Sequence, residues 1–177
     1  MLMLPSKALP GMCWSLLPCL MTLSQVQGEQ LLDTTPLTGR ICPNGFMVYA
    51  SHCYSFYTTP STWMQASMDC QKWPSGQLVS ILSESEASFV ASLIRSNVNI
   101  YYYVWIGLYD PTEGSQPNGI GWEWSTNDML KYRAWEVIPP SLPDPGFCGI
   151  VTESSGFRKW KDYNCDLKLP YVCKFKY

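Results

Sequence analysis

The sequence predicts a disulfide-stapled α+β domain in which two helices are followed by a set of short antiparallel strands. Three observations predict it. Six cysteines, Cys42, Cys53, Cys70, Cys148, Cys165 and Cys173, lie outside an apolar leader. Two stretches with helix-start signals and helical apolar spacing come first in the body of the chain. Short aromatic or β-branched runs bounded by Gly, Pro and Asn come after them.

Residues 1–28 read as a signal peptide, with Lys7, an apolar stretch from Trp14 to Leu23, and Val26-Gln27-Gly28 as a small-residue cleavage site. Pro10, Gly11, Ser15 and Pro18 interrupt the stretch, which falls short of the ~20 apolar residues a span needs. The expectation is therefore a secreted, extracellular protein with no membrane span. Cys13 and Cys19 leave with the leader, and the even set that remains suits an oxidising compartment.

Residues 29–40 are polar, with Thr34-Thr35-Pro36 and Gly39, and read as a flexible N-terminal segment. Arg40-Ile41 is then a trypsin-sensitive site on a loose terminus, just before the first cross-link. Residues 41–177 form one domain by length, and the 14% aromatic content supplies large buried areas to a small cross-linked core. A formal charge of -2 offers no general basic field for nucleic acid or an anionic membrane. Arg158, Lys159, Lys161, Lys168, Lys174 and Lys176 cluster late and read as a solvated face.

Thr62 and Gln65 fit a capping box, and Trp63, Ala66, Cys70 and Trp73 follow at near-helical spacing, so the first helix carries Cys70 inward. Ser83 and Glu86 repeat the start signal ahead of Ala87, Val90, Leu93, Ile94 and Asn97, with a strand Leu78 to Leu82 between the two helices. Beyond residue 100 the strands expected are Val104 to Tyr109, Gly121 to Ser125, Phe147 to Val151 and Tyr171 to Tyr177. Asp110 to Gly119 and Glu136 to Gly146 are long irregular loops, where recognition residues usually sit on a cross-linked scaffold. Two cysteine pairs are close in sequence, Cys42 with Cys53 and Cys148 with Cys165, while Cys70 and Cys173 lie near opposite ends of the body. This spacing favours a nested scheme and leaves other pairings open.

Trp105-Ile106-Gly107-Leu108, Trp122-Glu123-Trp124, Trp160-Lys161-Asp162-Tyr163-Asn164-Cys165 and Leu169-Pro170-Tyr171-Val172-Cys173 together resemble a long-form C-type lectin-like domain running from Cys42 to the C-terminus. The resemblance implies the pairs Cys42 to Cys53, Cys70 to Cys173 and Cys148 to Cys165. Calcium-dependent members of this fold carry an oxygen-bearing triplet before the fourth mature cysteine and a later Trp-Asn-Asp. Here Trp135 to Cys148 has no such triplet, the position two before Cys148 is Gly146, and Lys161 stands where the asparagine would be. Calcium takes about 6–8 oxygen ligands, and an ammonium in that shell repels the ion. Tyr109 and Phe147 occupy positions where some relatives carry zinc-binding histidines. No metal or other cofactor is expected.

Arg40-Ile41-Cys42-Pro43, Ile106-Gly107-Leu108-Tyr109-Asp110-Pro111, Gln116-Pro117-Asn118 ahead of Trp122, and the Tyr171 to Lys176 ending resemble the regenerating-protein or pancreatitis-associated family. Within it, Ile106 to Ile120 is most similar to the islet neogenesis-associated branch. The resemblance implies secretion from pancreas or gut, tryptic trimming at Arg40 with self-association afterwards, calcium-independent glycan binding in some members and trophic signalling in others. It implies a receptor-binding loop at Ile106, Gly107, Leu108, Tyr109, Asp110 and Pro111, and a carbohydrate site at Gln116, Pro117 and Asn118. Bactericidal relatives carry Glu-Pro-Asn there and bind peptidoglycan. Gln116 keeps the length and an acceptor but drops the charge.

The expected function is a secreted signal that binds a cell-surface receptor, with weak calcium-independent carbohydrate binding. The alternative is an antimicrobial lectin for peptidoglycan or other oligosaccharides. An enzyme would need a nucleophile, a base and an orienting group within reach. His52 is the single histidine and adjoins Cys53, which suits a packed or surface imidazole better than a general base.

Overall fold

The computed structural model describes residues 42–97, 101–141 and 146–176. They belong to the second of two units, Leu37–Tyr177, the first being Met1–Pro36. The expected leader, the polar segment 29–40, and Arg40 and Ile41 lie outside the described residues.

The described chain begins with strands β1 (Met47–Tyr49) and β2 (His52–Ser61), which the residue pattern did not announce. Helix α1 (Trp63–Cys70) follows with the full capping box, Thr62 Oγ1 accepting from Gln65 N–H and Gln65 Oε1 from Thr62 N–H. Strand β3 is only Gln77–Leu78. Helix α2 (Glu84–Arg95) is capped by Ser83 and places Glu84 and Glu86 in its first turn and Arg95 in its last, charges that suit the helix dipole. Strands β4 (Tyr103–Tyr109), β5 (Glu123–Trp124), β6 (Cys148–Thr152), β7 (Trp160–Tyr163) and β8 (Leu169–Lys176) complete the set.

The helix spacing ran past both helix ends. Trp73 lies beyond α1, stacked on Phe175 and edge-on to Phe46, and Asn97 lies beyond α2, its amide donating to Leu93 O. Strand β7 was also unannounced, because its burial alternates over only four residues.

The strands form one eight-stranded sheet in the order β1-β2-β8-β4-β6-β7, with β3 on β8 and β5 on β4. The expectation of antiparallel pairing holds except between β4 and β8, which are parallel through Trp105 and Tyr171. Strand β4 divides the core by simple alternation. Val104, Ile106 and Leu108 join Val90 and Ile94 of α2, while Trp105 joins Trp63, Ala66 and Cys70 of α1. All four β4 side chains are fully buried, and each aliphatic one contributes about 1.5–3 kcal/mol by leaving water. Both neighbouring indoles find carbonyls: Trp63 Nε1 donates to Ile106 O at 2.8 Å and Trp105 Nε1 to Ser61 O at 2.9 Å.

Three disulfides join Cys42 to Cys53, Cys70 to Cys173 and Cys148 to Cys165. The second closes 103 residues and pins the end of α1 to β8. By loop entropy a bridge of that span contributes about 4.7 kcal/mol, against about 3 for a loop of roughly 15 residues.

Candidate functional site

Residues 110–119 and the described part of the second loop, 136–141 and 146, come together near the ends of β4, β6 and β7 and line a cleft of about 170 Å³. Gln116 and Pro117 supply one wall, Pro139 and Pro140 the other, with Trp122, Phe147 and Asp162 between them. Gly119 seats the first loop on the second: a side chain added there would touch Pro139 and Ile138.

Asp110 organises the first loop from inside. It is 4% exposed, and its Oδ1 accepts from Thr112 N–H and Oγ1–H while Oδ2 accepts from Gly114 N–H. Such an aspartate turn holds a loop without regular structure. The chain then takes left-handed backbone at Glu113, Gly114, Asn118 and Gly119, which sets Gln116, Pro117 and Asn118 out as an exposed tip. Gln116 and Pro117 line the cleft, whereas Asn118 is not among its lining residues.

Asp162 performs the matching task on the second loop. It is fully buried, and its two carboxylate oxygens accept from Ser141, Oδ2 from the backbone N–H at 2.9 Å and Oδ1 from the hydroxyl. Alternation along β7 leaves Asp162 lining the cleft and Lys161 outside it. Gly146 is a packing requirement, since a Cβ there would stand 1.9 Å from the Tyr163 carbonyl carbon. No carboxylate side chain fits at that position. Among the described residues no group of three His, Cys, Asp or Glu side chains could hold a metal ion. Tyr109 closes β4 opposite Cys148, and Phe147, just before β6, accepts from Asp110 N–H at 2.9 Å. Tyr109 Oη donates to Glu123 Oε1 at 2.8 Å, and that hydrogen bond, with burial, raises the phenol above its usual range.

The structure corrects two expectations about surface residues. Ile106, Gly107 and Leu108 belong to β4 and are buried, and Asp110 points inward to Thr112 and Gly114, so within Ile106 to Asp110 only the half-buried Tyr109 reaches the surface and the stretch is a strand rather than a presented loop. Pro111 is the first exposed residue of that stretch. Two-sided packing explains the burial: residues of α2 cover one face of β4 and residues of α1 the other, so its alternating side chains fill the core on both faces of the sheet. Lys174 leaves the late basic cluster, because it is buried in an ion pair with Glu86. Of the other lining residues, Pro139 and Pro140 are reached in sequence through the second irregular loop, whereas Trp122, Phe147 and Asp162 lie outside both loops and only the fold brings them together.

A C-type lectin domain model matches residues 59–175. The chain is 57% identical to bovine lithostathine over 98% of this chain and 99% of that protein. This chain belongs to the regenerating-protein family of C-type lectin-like proteins.

Human regenerating islet-derived protein 3-gamma is 56% identical with the same coverage, 98% of this chain and 99% of that one. The pancreatic beta cell growth factor of Mesocricetus auratus is 45% identical over 99% of both chains. The crystal structure of human lithostathine superposes with a TM-score of 0.71 at 42% identity, covering 77% of this chain and 92% of that one. Regenerating proteins are lectin-like rather than enzymatic.

Proposed function

We propose that this regenerating-family protein is a secreted trophic signal of pancreas or gut that docks on a cell-surface receptor through the rim of the cleft. Its residues 1–28 act as a signal peptide, and trimming after Arg40 releases the domain 41–177, which then self-associates. The observation that carries the docking is the apolar rim: Ile120, Val137 and Ile138 are 63%, 54% and 61% exposed on the two loops that meet at Gly119. Large apolar side chains held out together on a braced loop pair mark a protein contact more than a sugar contact. The printed names of relatives, a growth factor and islet-derived regenerating proteins, support the same reading.

A second reading is a calcium-independent lectin that binds peptidoglycan or other oligosaccharides weakly, and it is favoured by Gln116 and Pro117 standing in the cleft wall. Labelled protein applied to pancreatic and intestinal epithelial cells separates the two. Ile120→Ser combined with Ile138→Ser abolishes saturable binding under the first reading and leaves it intact under the second. Competition of wild-type binding by soluble peptidoglycan fragments, with chelator present, supports the second.

A further inference from the structure

A second concave surface lies where β2 and β8 leave their regular pairing, and it shares no residue with the cleft. The register between the two strands breaks after Tyr57 opposite Tyr171 and resumes at Ser61 opposite Leu169. Pro60 sits in the break, where its missing N–H costs no ladder bond. The break and the turn after α1 enclose an open groove of about 460 Å³.

The floor is aromatic and pre-ordered. Tyr57 stacks on Tyr171 with centroids 5.0 Å apart and planes 8° from parallel. Trp73 Nε1 donates to Tyr57 Oη at 2.9 Å, and the Trp73 ring is stacked on Phe175. Tyr57 and Trp73 are each only half-buried. The rim is polar and balanced. Asp69 accepts from Tyr171 Oη at 3.1 Å and from Lys72 Nζ at 2.6 Å, and the Lys72 side chain is 75% exposed. Thr59 and Ser61 add hydroxyls on the opposite wall. The Cys70–Cys173 bridge holds both sides, one residue after Asp69 and two after Tyr171.

We infer that this groove binds a neutral oligosaccharide, with a pyranose ring laid on Tyr57 and Trp73 and its hydroxyls read by Asp69, Lys72, Thr59 and Ser61. The inference rests on the glycan-binding part of the proposed function and places it at a second site. A pyranose presents C–H bonds on its face and hydroxyls around its edge. Aromatic faces carry negative charge that attracts the partly positive hydrogens of that C–H face. Hydroxyls need donors and acceptors together, which the ammonium, the carboxylate and the two side-chain hydroxyls provide. Because Lys72 and Asp69 neutralise each other, neither an anionic nor a cationic chain gains by entering. Rings already locked by stacking and by the indole hydrogen bond lose little freedom when the sugar arrives.

Titration of the full-length secreted, disulfide-bonded protein with chitotetraose, followed by proton–nitrogen NMR, tests it. The Trp73 indole N–H and the amides around Asp69 and Lys72 shift with chitotetraose, and Gln116→Ala leaves those shifts unchanged. Asp69→Asn weakens binding about tenfold through loss of a charge-assisted acceptor, and Tyr57→Leu removes it. Lys72→Ala, at a position open to solvent, guards against a Tyr57→Leu protein that fails to fold, and it too weakens binding. Shifts confined to the cleft and lost in Gln116→Ala overturn the groove while sparing the cleft as a lectin site. No shift anywhere overturns the groove and the lectin reading together, leaving receptor docking untouched. Wild-type affinity in both Asp69→Asn and Lys72→Ala also overturns it.

Discussion

Lys174 Nζ lies 2.7 Å from Glu86 Oε1, with the two side chains 7% and 6% exposed. The pair is fully furnished with hydrogen bonds. Tyr54 Oη donates to Glu86 Oε1 at 2.6 Å, Leu82 N–H to Oε2 at 2.8 Å, and Lys174 reaches Ser80 O and Oγ at 3.3 Å. Burial and the bond to Glu86 push the Tyr54 phenol far up, so it remains a donor. The network ties β2 and β8 to the first turn of α2. Truncating one ion strands the other without water, so Lys174→Met lowers stability by about 3–5 kcal/mol, and Glu86→Leu in the same chain restores part of it. Urea unfolding with the disulfides intact measures both. An equal loss from the exposed Lys176→Met would show that the pair is not the cause.

Gly146→Ala distorts the second loop, because its methyl would meet the Tyr163 carbonyl and the Asn164 nitrogen at 2.4 Å or less. Overpacking against backbone has no soft neighbour to yield, and the loss is about 1–3 kcal/mol. Thermal melting reads the change. Ser141→Ala frees the same loop by a different route, removing a hydroxyl from Asp162, and leaves β7 paired. A Gly146→Ala protein as stable as wild type contradicts the tight approach.

Calcium and the loop tip give the third expectation. Gln116→Glu tightens binding of soluble peptidoglycan fragments by about 1 kcal/mol, since a carboxylate accepts hydroxyl protons more strongly than an amide. Lys161→Asn leaves calcium affinity unchanged, because Lys161 stands outside the cleft and both Asp162 oxygens are engaged by Ser141. Calorimetric titration with and without calcium checks both variants. Calcium-dependent binding by the wild type overturns this account of the site.

The fourth expectation is a pH dependence of stability that runs through His52. Burial, then the charges of Lys174 and Lys176, hold its imidazole below the ordinary value of 6.5, with Glu86 and Asp128 opposing them in part. The unfolded chain therefore takes up the proton first. Stability is highest above 6.5, falls as pH drops through that value and levels off once the folded imidazole also protonates. Urea midpoints from about pH 8 to about pH 5 show this slope, and His52→Gln reduces it. A slope that survives His52→Gln assigns the effect to other groups.

Residue order by itself carried the cysteine set, both helix starts, the central strand β4 and the family. Each of these depends on contacts between residues a few positions apart, such as the Thr62–Gln65 cap, or on motifs read in line. Helix ends were less legible, because Trp73 and Asn97 keep helical spacing while Trp73 packs on residues far away in sequence, and spacing alone does not separate the two. The first strand pair was hidden for a related reason: β2 is defined by its partner β8, more than a hundred residues later, and Pro60 breaks its pattern at the bulge.

What tertiary structure decided was which candidate residues face solvent. Ile106 to Asp110 and Gln116 to Asn118 occupy one continuous motif, yet core packing around β4 buries Ile106, Gly107 and Leu108 while the Asp110 turn pushes Gln116 to Asn118 outward. Lys174 and Lys176 are equally basic in line and share one face of β8, but Lys174 lies opposite Tyr54 and beside Glu86 inside the core, while Lys176 is the last residue of the strand and stays in water. The cleft and the aromatic groove are likewise products of closure: each is lined by segments that only strand pairing and the Cys70–Cys173 and Cys148–Cys165 bridges bring within reach. Sequence determines which side chains exist and what local turns they favour, whereas burial and proximity arise from long-range packing, which no short window of residues contains.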